Sequence, residues 1–515
     1  MERKMTLKSN AKPNSLPNKI IKKYLQRRKK TSVDSYHLHY PKFQTSTLKS
    51  IWKNIQKTQY AQQHNLSKNI PETKEVYKEF TNIFPIVTYD DIKPRLEQAK
   101  SKPDIVRPWQ IPHFSASSWT TSAKKHIPVS KNMIQSMTKA WYDMLAMLAT
   151  KYPEMDIAHT KSRPLWWSIQ EKWENNVYVW DISAIMIQEW PRYLKQKYAY
   201  DIKTLLLANR TEKKQAFLNN PITNKALLMA WVTSRQHTLL ENLRAQNPHA
   251  HTQIIHDLQV LIRWGVDIKP FRKSFQKQWI DKYIWVYNAS EGYFAFQDIS
   301  IDESDTAPYM LLPNHGIFYE FIPFKPQNFD PTGKPLHPEQ ALSRQDIQPW
   351  QKYAIVITTN SGLVRYIIWD VIQFVDQTRF YIVWRTKQSL NLVWEELMET
   401  HTEHVIHQIN NTYETNITQY TIWPDQNDNP TKHLRIVEIE EPHIKLGEQI
   451  DTLLRETNAD YNAKREWWLL QEAEIICVPR GSFHKRYEAH NKVWSQNKIP
   501  KIKNTTNVID FFRNK

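Results

Sequence analysis

The order of patterns along this chain predicts an α/β protein in two parts, a large N-terminal domain with mixed β-sheets followed by a small α+β C-terminal domain. Three observations carry that expectation. A length of 515 residues exceeds what one hydrophobic core organises. Helical spacing of apolar residues marks the first half, whereas short β-branched and aromatic runs take over from about 283 to 385. After about 386, helix and strand patterns alternate in a smaller unit. The expected division is a basic leader helix over 1–31, a large domain over 32–385 and a small domain over 386–515.

The elements follow in order. Residues 1–31 read as a basic helix, and 37–70 as helix, with Leu48, Ile51 and Ile55 near helical spacing. Thr88 followed by Asp90 and Asp91 signals a helix start, because acids favour the positive end of the helix dipole. Met133, Met137, Trp141, Met144, Leu145 and Leu148 stripe a helix over 131–150, and 222–245 reads as another. Strands are expected at Tyr283–Tyr287, Tyr309–Leu312, Gly316–Ile322, Tyr353–Thr358, Val364–Ile368 and Phe380–Val383. The Pro-rich, polar stretch Lys325–Gln348 reads as a long loop.

Composition narrows the class. A hydrophobic fraction of 40% with 12% aromatics supports a core and excludes global disorder. No apolar run approaches the roughly 20 residues of a membrane helix. The basic N-terminus lacks the apolar stretch of a secretory signal. A lone cysteine, Cys477, excludes an internal disulfide and a cysteine zinc cage, so a cytoplasmic setting is expected. The net charge of +18 is uneven: residues 1–30 hold eleven Lys/Arg against Glu2, a net of +10, leaving +8 for the other 485. Such a leader can meet phosphate backbones or an anionic membrane face, or be one solvated helix face. With no aromatic-and-basic module elsewhere, a nucleic-acid partner is not expected.

One anomaly bears on mechanism. The chain has 7 Gly and 21 Trp, whereas ordinary usage of about 7% would give roughly 36 Gly. Tryptophans stand in turn-like contexts, as in Ser118-Trp119-Thr120, Ile368-Trp369-Asp370, Val383-Trp384-Arg385 and Val393-Trp394-Glu395. A bulky residue at positive φ is an outlier, and overpacking costs about 1–3 kcal/mol per site. A dozen such sites would exceed the whole stability of about 5–15 kcal/mol. Some bacteria decode UGA as glycine, and a common translation table would write those positions as Trp. The contexts favour that reading over a protein that is simply rich in tryptophan.

Five segments carry candidate chemistry. Phe114–Ser130 holds clustered hydroxyls and Lys125, the donors a triphosphate needs, although it is not a GxxxxGK[ST] loop. Val286–Asp298 places Glu291 beside Gly292, a reasonable magnesium carboxylate at a strand end. Tyr353–Phe374 ends a strand near Asp370, and a carboxylate is the usual acceptor for ribose hydroxyls. Val383–Leu397 reads as a strand-to-helix connection, and Ser495–Lys501 as a basic tail. Taken singly, most of these also fit ordinary turns and solvated surface.

Together, in order and over nearly the whole chain, they resemble the auxin-responsive Gretchen Hagen acyl-acid amido synthetases of the adenylate-forming superfamily. FSASSWTTSAKKHIPVS is similar to that family's SSGTT…K…P phosphate loop, VYNASEGYF to its Y-x-A-S-E-G-x-F segment, and LVRYIIWD to its L-Y-R-Y-x-x-G-D. VWRTKQSLNLVWEEL resembles the family's interdomain hinge, and SQNKIPK its Q-x-K-x-P-R ending, with Lys501 in place of arginine. Weaker echoes lie in YDDIKPRL, LIRWGVDIKPFR and VPRGSFHKR. Where this pattern expects glycine the chain has Trp109, Trp119, Trp231, Trp264, Trp369, Trp384, Trp394 and Trp494.

The resemblance implies an acyl-adenylate synthetase-like fold and an ATP-dependent ligase. It would activate a carboxylic acid as acyl-AMP and pass the acyl group to an amine such as an amino acid. It implies that Ser117, Ser118, Thr120, Thr121 and Lys125 handle the β- and γ-phosphates. Glu291 would hold Mg²⁺, Ser290 and Tyr293 would flank the nucleotide, and Asp370 would bind the ribose. Arg385 would lie near the nucleotide, and Lys498 would stabilise charge during adenylation. Two alternatives stay open: a catalytically dead binding protein whose Trp119 and Trp369 fill the nucleotide pocket, and acyl transfer to a thiol as in acyl-CoA ligases. The acyl acid itself is not legible.

Overall fold

The computed structural model describes residues 12–64, 75–117, 125–164, 171–172, 177–198, 218, 227–264, 272–278, 280, 282–299, 307–325, 328–329, 334–385, 389–390, 397–425, 432–440, 445–466, 470–483, 485 and 501–502. The N-terminal helices are α1 (Leu16–Thr31), α2 (Tyr40–Ile55), α3 (Gln59–Gln63), α4 (Glu75–Ile83), α5 (Tyr89–Ser101) and α6 (Lys131–Lys151). Among the described residues, the 37–70 stretch therefore holds two helices rather than one. The chain turns at Lys57 and Thr58, where the Thr58 hydroxyl accepts from the Ala61 N–H and starts α3.

The striped helix α6 forms as its pattern requires. The Ser130 hydroxyl accepts from the Met133 N–H at its start, and Met133, Met137, Ala140, Met144, Met147 and Leu148 are buried. That face packs on the large sheet in the main core, with Ile262, Ile284 and Phe296. Burying each such side chain contributes about 1.5–3 kcal/mol.

The strands are β1 (His113–Ser117), β2 (Lys125–Val129), β3 (Lys161–Pro164), β4 (Glu171–Lys172), β5 (Tyr178–Trp180), β6 (Leu227–Val232), β7 (Leu258–Trp264), β8 (Tyr283–Ala289) and β9 (Gly292–Gln297). They continue as β10 (Tyr309–Leu311), β11 (Ile317–Pro323), β12 (Lys352–Thr359), β13 (Tyr366–Phe374), β14 (Arg379–Arg385), β15 (Ser389–Leu390), β16 (Leu397–Met398), β17 (Tyr420–Asp425), β18 (Lys432–Glu438) and β19 (Glu474–Val478). Ten form one mixed sheet in the order β11-β12-β13-β14-β10-β9-β8-β7-β6-β3. Its β3-β6-β7-β8 half is parallel and its β8-to-β11 half antiparallel. A second sheet runs β2-β1-β5-β4.

Residues 222–245 correct the sequence expectation. Leu227–Val232 is a strand of the parallel half, and the helix begins only at Thr233 and runs to Gln246. A strand covered on both faces reads as a continuous apolar run, which periodicity alone cannot tell from a buried helix. Among described residues, the expected loop over Lys325–Gln348 contains the single turns Pro338–Gln340 and Arg344–Asp346 and the isolated bridges Phe329–Pro335 and Phe321–Leu342.

Two buried ionic clusters hold the N-terminal helices to this frame. Asp143 of α6 is fully buried and accepts from Arg28 Nε at 2.6 Å, His315 Nε2 at 2.8 Å and the Tyr36 hydroxyl. Burial pushes its carboxyl up, but the donors from His315, Tyr36 and Arg28 outweigh it and leave the pKa below the usual carboxylate value. The second is Glu320 of β11, which is 0% exposed and meets Arg365 Nη2 at 2.8 Å and Nε at 3.1 Å. Arg365 also donates to the carbonyls of Phe84 at 2.6 Å and Thr81 at 3.0 Å, tying the end of α4 to the sheet.

The small C-terminal unit contains the sheet β17-β18-β19. Its core joins Ile422, Val437 and Tyr420 to Val405, Ile409, Ile450 and Leu454 from helices Glu399–Thr412 and Leu446–Thr457.

Candidate active site

Strand β8 turns into β9 through the two-residue tip Ser290–Glu291, with Ala289 paired to Gly292. A hairpin tip projects its side chains past the sheet, so Glu291 stands half-buried at the edge and Ser290 is buried. Strand β13 supplies the opposite wall. Its Tyr366 is fully buried, and Glu291 lies near enough for its charge to act on that phenol. Burial first, then the Glu291 charge, holds that phenol well above its ordinary pKa.

Lys125 opens β2 and is buried. Its Nζ donates to the Tyr366 hydroxyl at 3.0 Å and lies 5.1 Å from the Tyr89 ring centre and 5.6 Å from that of Tyr366. The Tyr89 hydroxyl accepts from the His126 N–H at 2.8 Å, which fixes the start of α5 against β2. The Tyr366 phenol therefore takes the Lys125 ammonium directly and feels the Glu291 charge.

Four residues along each strand lies a second contact: the Tyr287 hydroxyl donates to Asp370 Oδ2 at 2.6 Å. Residues 287 and 291 thus face 370 and 366, although β14, β10 and β9 stand between β8 and β13 in the sheet. The sheet curls to bring them together. One end of this wall carries Lys125 and Glu291, the other Asp370.

A bulge aims Asp370. Pairing of β13 with β12 runs Ala354–Val371 and Val356–Ile367, so three β13 residues oppose Ile355. Within it Trp369 has φ 66°. Its indole is buried among Ile86, Ile322 and Val356. The left-handed region costs a side-chain-bearing residue roughly 1–2 kcal/mol, and glycine is the residue such bulges select. Exposed Trp350, at φ 65°, repeats the pattern in the turn before β12.

The other expected residues divide as follows. Ser117 ends β1 in register with Lys125. Ser118, Trp119, Thr120 and Thr121 lie outside the described residues, as do Trp394, Trp494 and Lys498. Arg385 ends β14 in register with Asp370. The Tyr293 ring packs under α6 near Trp141, and its hydroxyl points to Met144 Sδ at 3.5 Å. Alternation along β9 sends it to the helix-covered face, away from Phe294 and the Tyr287 side of the sheet.

Sequence reasoning left Tyr366, Tyr287 and Tyr89 without roles. The only available signal was position, since Tyr366 precedes Asp370 by four and Tyr287 precedes Glu291 by four. Among the described residues no group of three or more His, Cys, Asp or Glu could hold a metal ion. A single carboxylate fits Mg²⁺, which takes one or two carboxylates and completes its shell with phosphate oxygens and water.

This large mixed-sheet domain with a small α+β unit behind it is the fold of the acyl acid amido synthetases. The chain superposes on an acyl acid amido synthetase named AtGH3.15, solved with 2,4-DB, with a TM-score of 0.73 and 16% identity over 98% of this chain and 96% of that one. A second structure of GH3.15 gives 0.72 and 16% over 92% and 93%. Residues 30–259, 309–380 and 399–507 match the N-terminal, central and C-terminal domains of the GH3 family, and the chain belongs to that family. A probable indole-3-acetic acid-amido synthetase of Oryza sativa subsp. japonica is 30% identical over 88 residues, 17% of this chain and 14% of the relative. An indole-3-acetic acid-amido synthetase of Arabidopsis thaliana is 24% identical over 186 residues, 32% of this chain and 30% of the relative. The matched stretches thus span less than a third of either relative.

Proposed function

We propose that this chain is an ATP- and Mg²⁺-dependent ligase that activates a carboxylic acid as acyl-AMP and transfers the acyl group to an amine such as an amino acid. The observation that supports this best is the Lys125 ammonium on the Tyr366 phenol, with the Glu291 charge acting on the same phenol and Asp370 held by Tyr287. An elongated ligand with anionic phosphates at one end and a diol at the other suits that arrangement. In this reading Lys125, Ser117, Ser118, Thr120 and Thr121 take the β- and γ-phosphates, Glu291 ligates Mg²⁺, Ser290 borders the nucleotide, and Asp370 accepts from the ribose hydroxyls.

The substrate carboxylate attacks the α-phosphorus. An acyl O–P bond forms, the bond to the β-phosphate oxygen breaks, and pyrophosphate leaves. The amine then attacks the acyl carbon, loses a proton and expels AMP. Positioning and stabilisation of phosphoryl charge supply most of the rate. Lys498 from the small domain, 386–515, would neutralise the α-phosphate in the first step, and the 384–394 connection from the large domain, 32–385, would carry the movement. We assign the reaction to the cytoplasm. Among the described residues no helix is long and apolar enough to cross a membrane.

The test is ATP–pyrophosphate exchange across a carboxylic-acid library, followed by product analysis with amino acids or a thiol as acceptor. Acid-dependent exchange with amide product supports the reading. Thioester product alone moves the chain to thiol acylation, and no exchange with any acid favours a binding protein.

The same reading includes UGA-encoded glycine in a bacterial host. Positive φ at Trp369 and Trp350 supports it, and Trp350 adds a position outside the eight at which the family pattern expects glycine. Mass spectrometry of peptides from the native host should find glycine at 119, 350 and 369. Tryptophan at all three would overturn the recoding and, with it, the close approach of the loop to a triphosphate.

A further inference from the structure

Among the described residues, helix α1 is held on the molecule by one face. Asn18 donates to the Met155 carbonyl at 3.0 Å and accepts from the N–H groups of Ile157 at 2.8 Å and Ala158 at 3.1 Å. Leu25 is 2% exposed against Ala146 and Ala149 of α6, and Arg28 is paired with Asp143. These contacts fix which way the remaining surface of α1 points.

That outward surface is not an ordinary solvated face. Leu16, Ile20 and Tyr24 are 71%, 61% and 55% exposed, and their four-residue spacing lines them up along the helix. Lys19, Lys23, Arg27 and Lys30 are exposed among and beyond them, and α1 contains no acid. Leu16, Ile20 and Tyr24 lie outside the apolar cluster through which α1 packs on α6.

We propose that this face of α1 seats the protein on an anionic lipid surface. Three apolar side chains can sink into the headgroup boundary while the flanking lysines and arginine extend to lipid phosphates. The other occupants fit less well. Residues 1–11 carry Arg3, Lys4 and Lys8 against Glu2, so their charge matches that of the helix rather than complementing it. A stable protein partner needs about 800 Å² on each side, more than a line of three apolar side chains on one convex helix offers. A nucleic-acid backbone would engage the cations and leave Leu16, Ile20 and Tyr24 without a purpose.

The experiment is co-sedimentation of the full chain with vesicles of phosphatidylcholine alone or mixed with phosphatidylglycerol. The expected result is binding to the mixed vesicles only, weakened by salt. It should fall by about tenfold or more in a Leu16→Ser, Ile20→Ser, Tyr24→Ser variant and comparably in Lys19→Glu, Lys23→Glu. All five side chains are exposed, so the thermal midpoint should not move and the loss cannot be read as unfolding. Absence of binding to mixed vesicles would overturn the proposal. So would full binding by the serine variant, or displacement from vesicles by duplex DNA that is equal in both proteins, since either leaves the apolar stripe unused.

Discussion

Lys125→Ala is expected to lower ATP–pyrophosphate exchange by about 10²–10³-fold, the usual cost of removing one preorganised donor from developing phosphoryl charge. Lys125 is buried between the Tyr89 and Tyr366 rings, so its charge is aimed without being free to wander. Water cannot replace it well, because the same rings exclude solvent. The measurement is exchange rate against ATP concentration at saturating Mg²⁺, with the thermal midpoint as a control for folding. Exchange within threefold of the parent would remove Lys125 from the proposed phosphate site. A folded variant with lost exchange, partly restored by Lys125→Arg, would place the effect in charge.

Arg365→Ala is expected to destabilise the fold by about 3–5 kcal/mol, because it leaves an uncompensated buried carboxylate. Glu320 is fully buried, and burial already holds its carboxyl above the usual range, with the Arg365 guanidinium opposing that shift. Without the guanidinium the carboxyl rises further. A group whose folded pKa exceeds its unfolded value stabilises below the unfolded pKa and loses that contribution as pH rises. The variant should therefore be hurt more at about pH 8 than at about pH 5. Urea midpoints at both values check this. The double change Arg365→Met, Glu320→Leu should recover much of the loss, since an apolar pair of similar volume replaces a desolvated ion pair. A loss below about 1 kcal/mol for Arg365→Ala, the size of an exposed pair, would show that Glu320 reaches water.

The helix α6 was legible because one stripe of methionines and leucines agreed with a single period and a serine cap. Residues 227–232 were not, because a strand buried on both faces carries no period at all. At the candidate site the charged members Lys125, Glu291 and Asp370 could be picked out by order along the chain. The three tyrosines that hold them could not, since a buried tyrosine and a positioning tyrosine look alike until their hydroxyls have partners. Tyr293 shows the converse: it sits two residues from Glu291 in sequence, and strand alternation sends it to the other face.

Legible along the chain alone were the family order of the segments, the α/β fold class, the excess of tryptophan and the basic N-terminal stretch. Each of these is a local or linear property, readable from neighbours along the chain. It took the folded chain to show that β13 bulges at Trp369 beside Asp370, that Lys125 donates to Tyr366, and that α1 lies on α6 with Leu16, Ile20 and Tyr24 outward. Those depend on sheet curl, register and which helix face finds a partner, and contacts between residues 83 to 241 positions apart leave no mark on either segment alone.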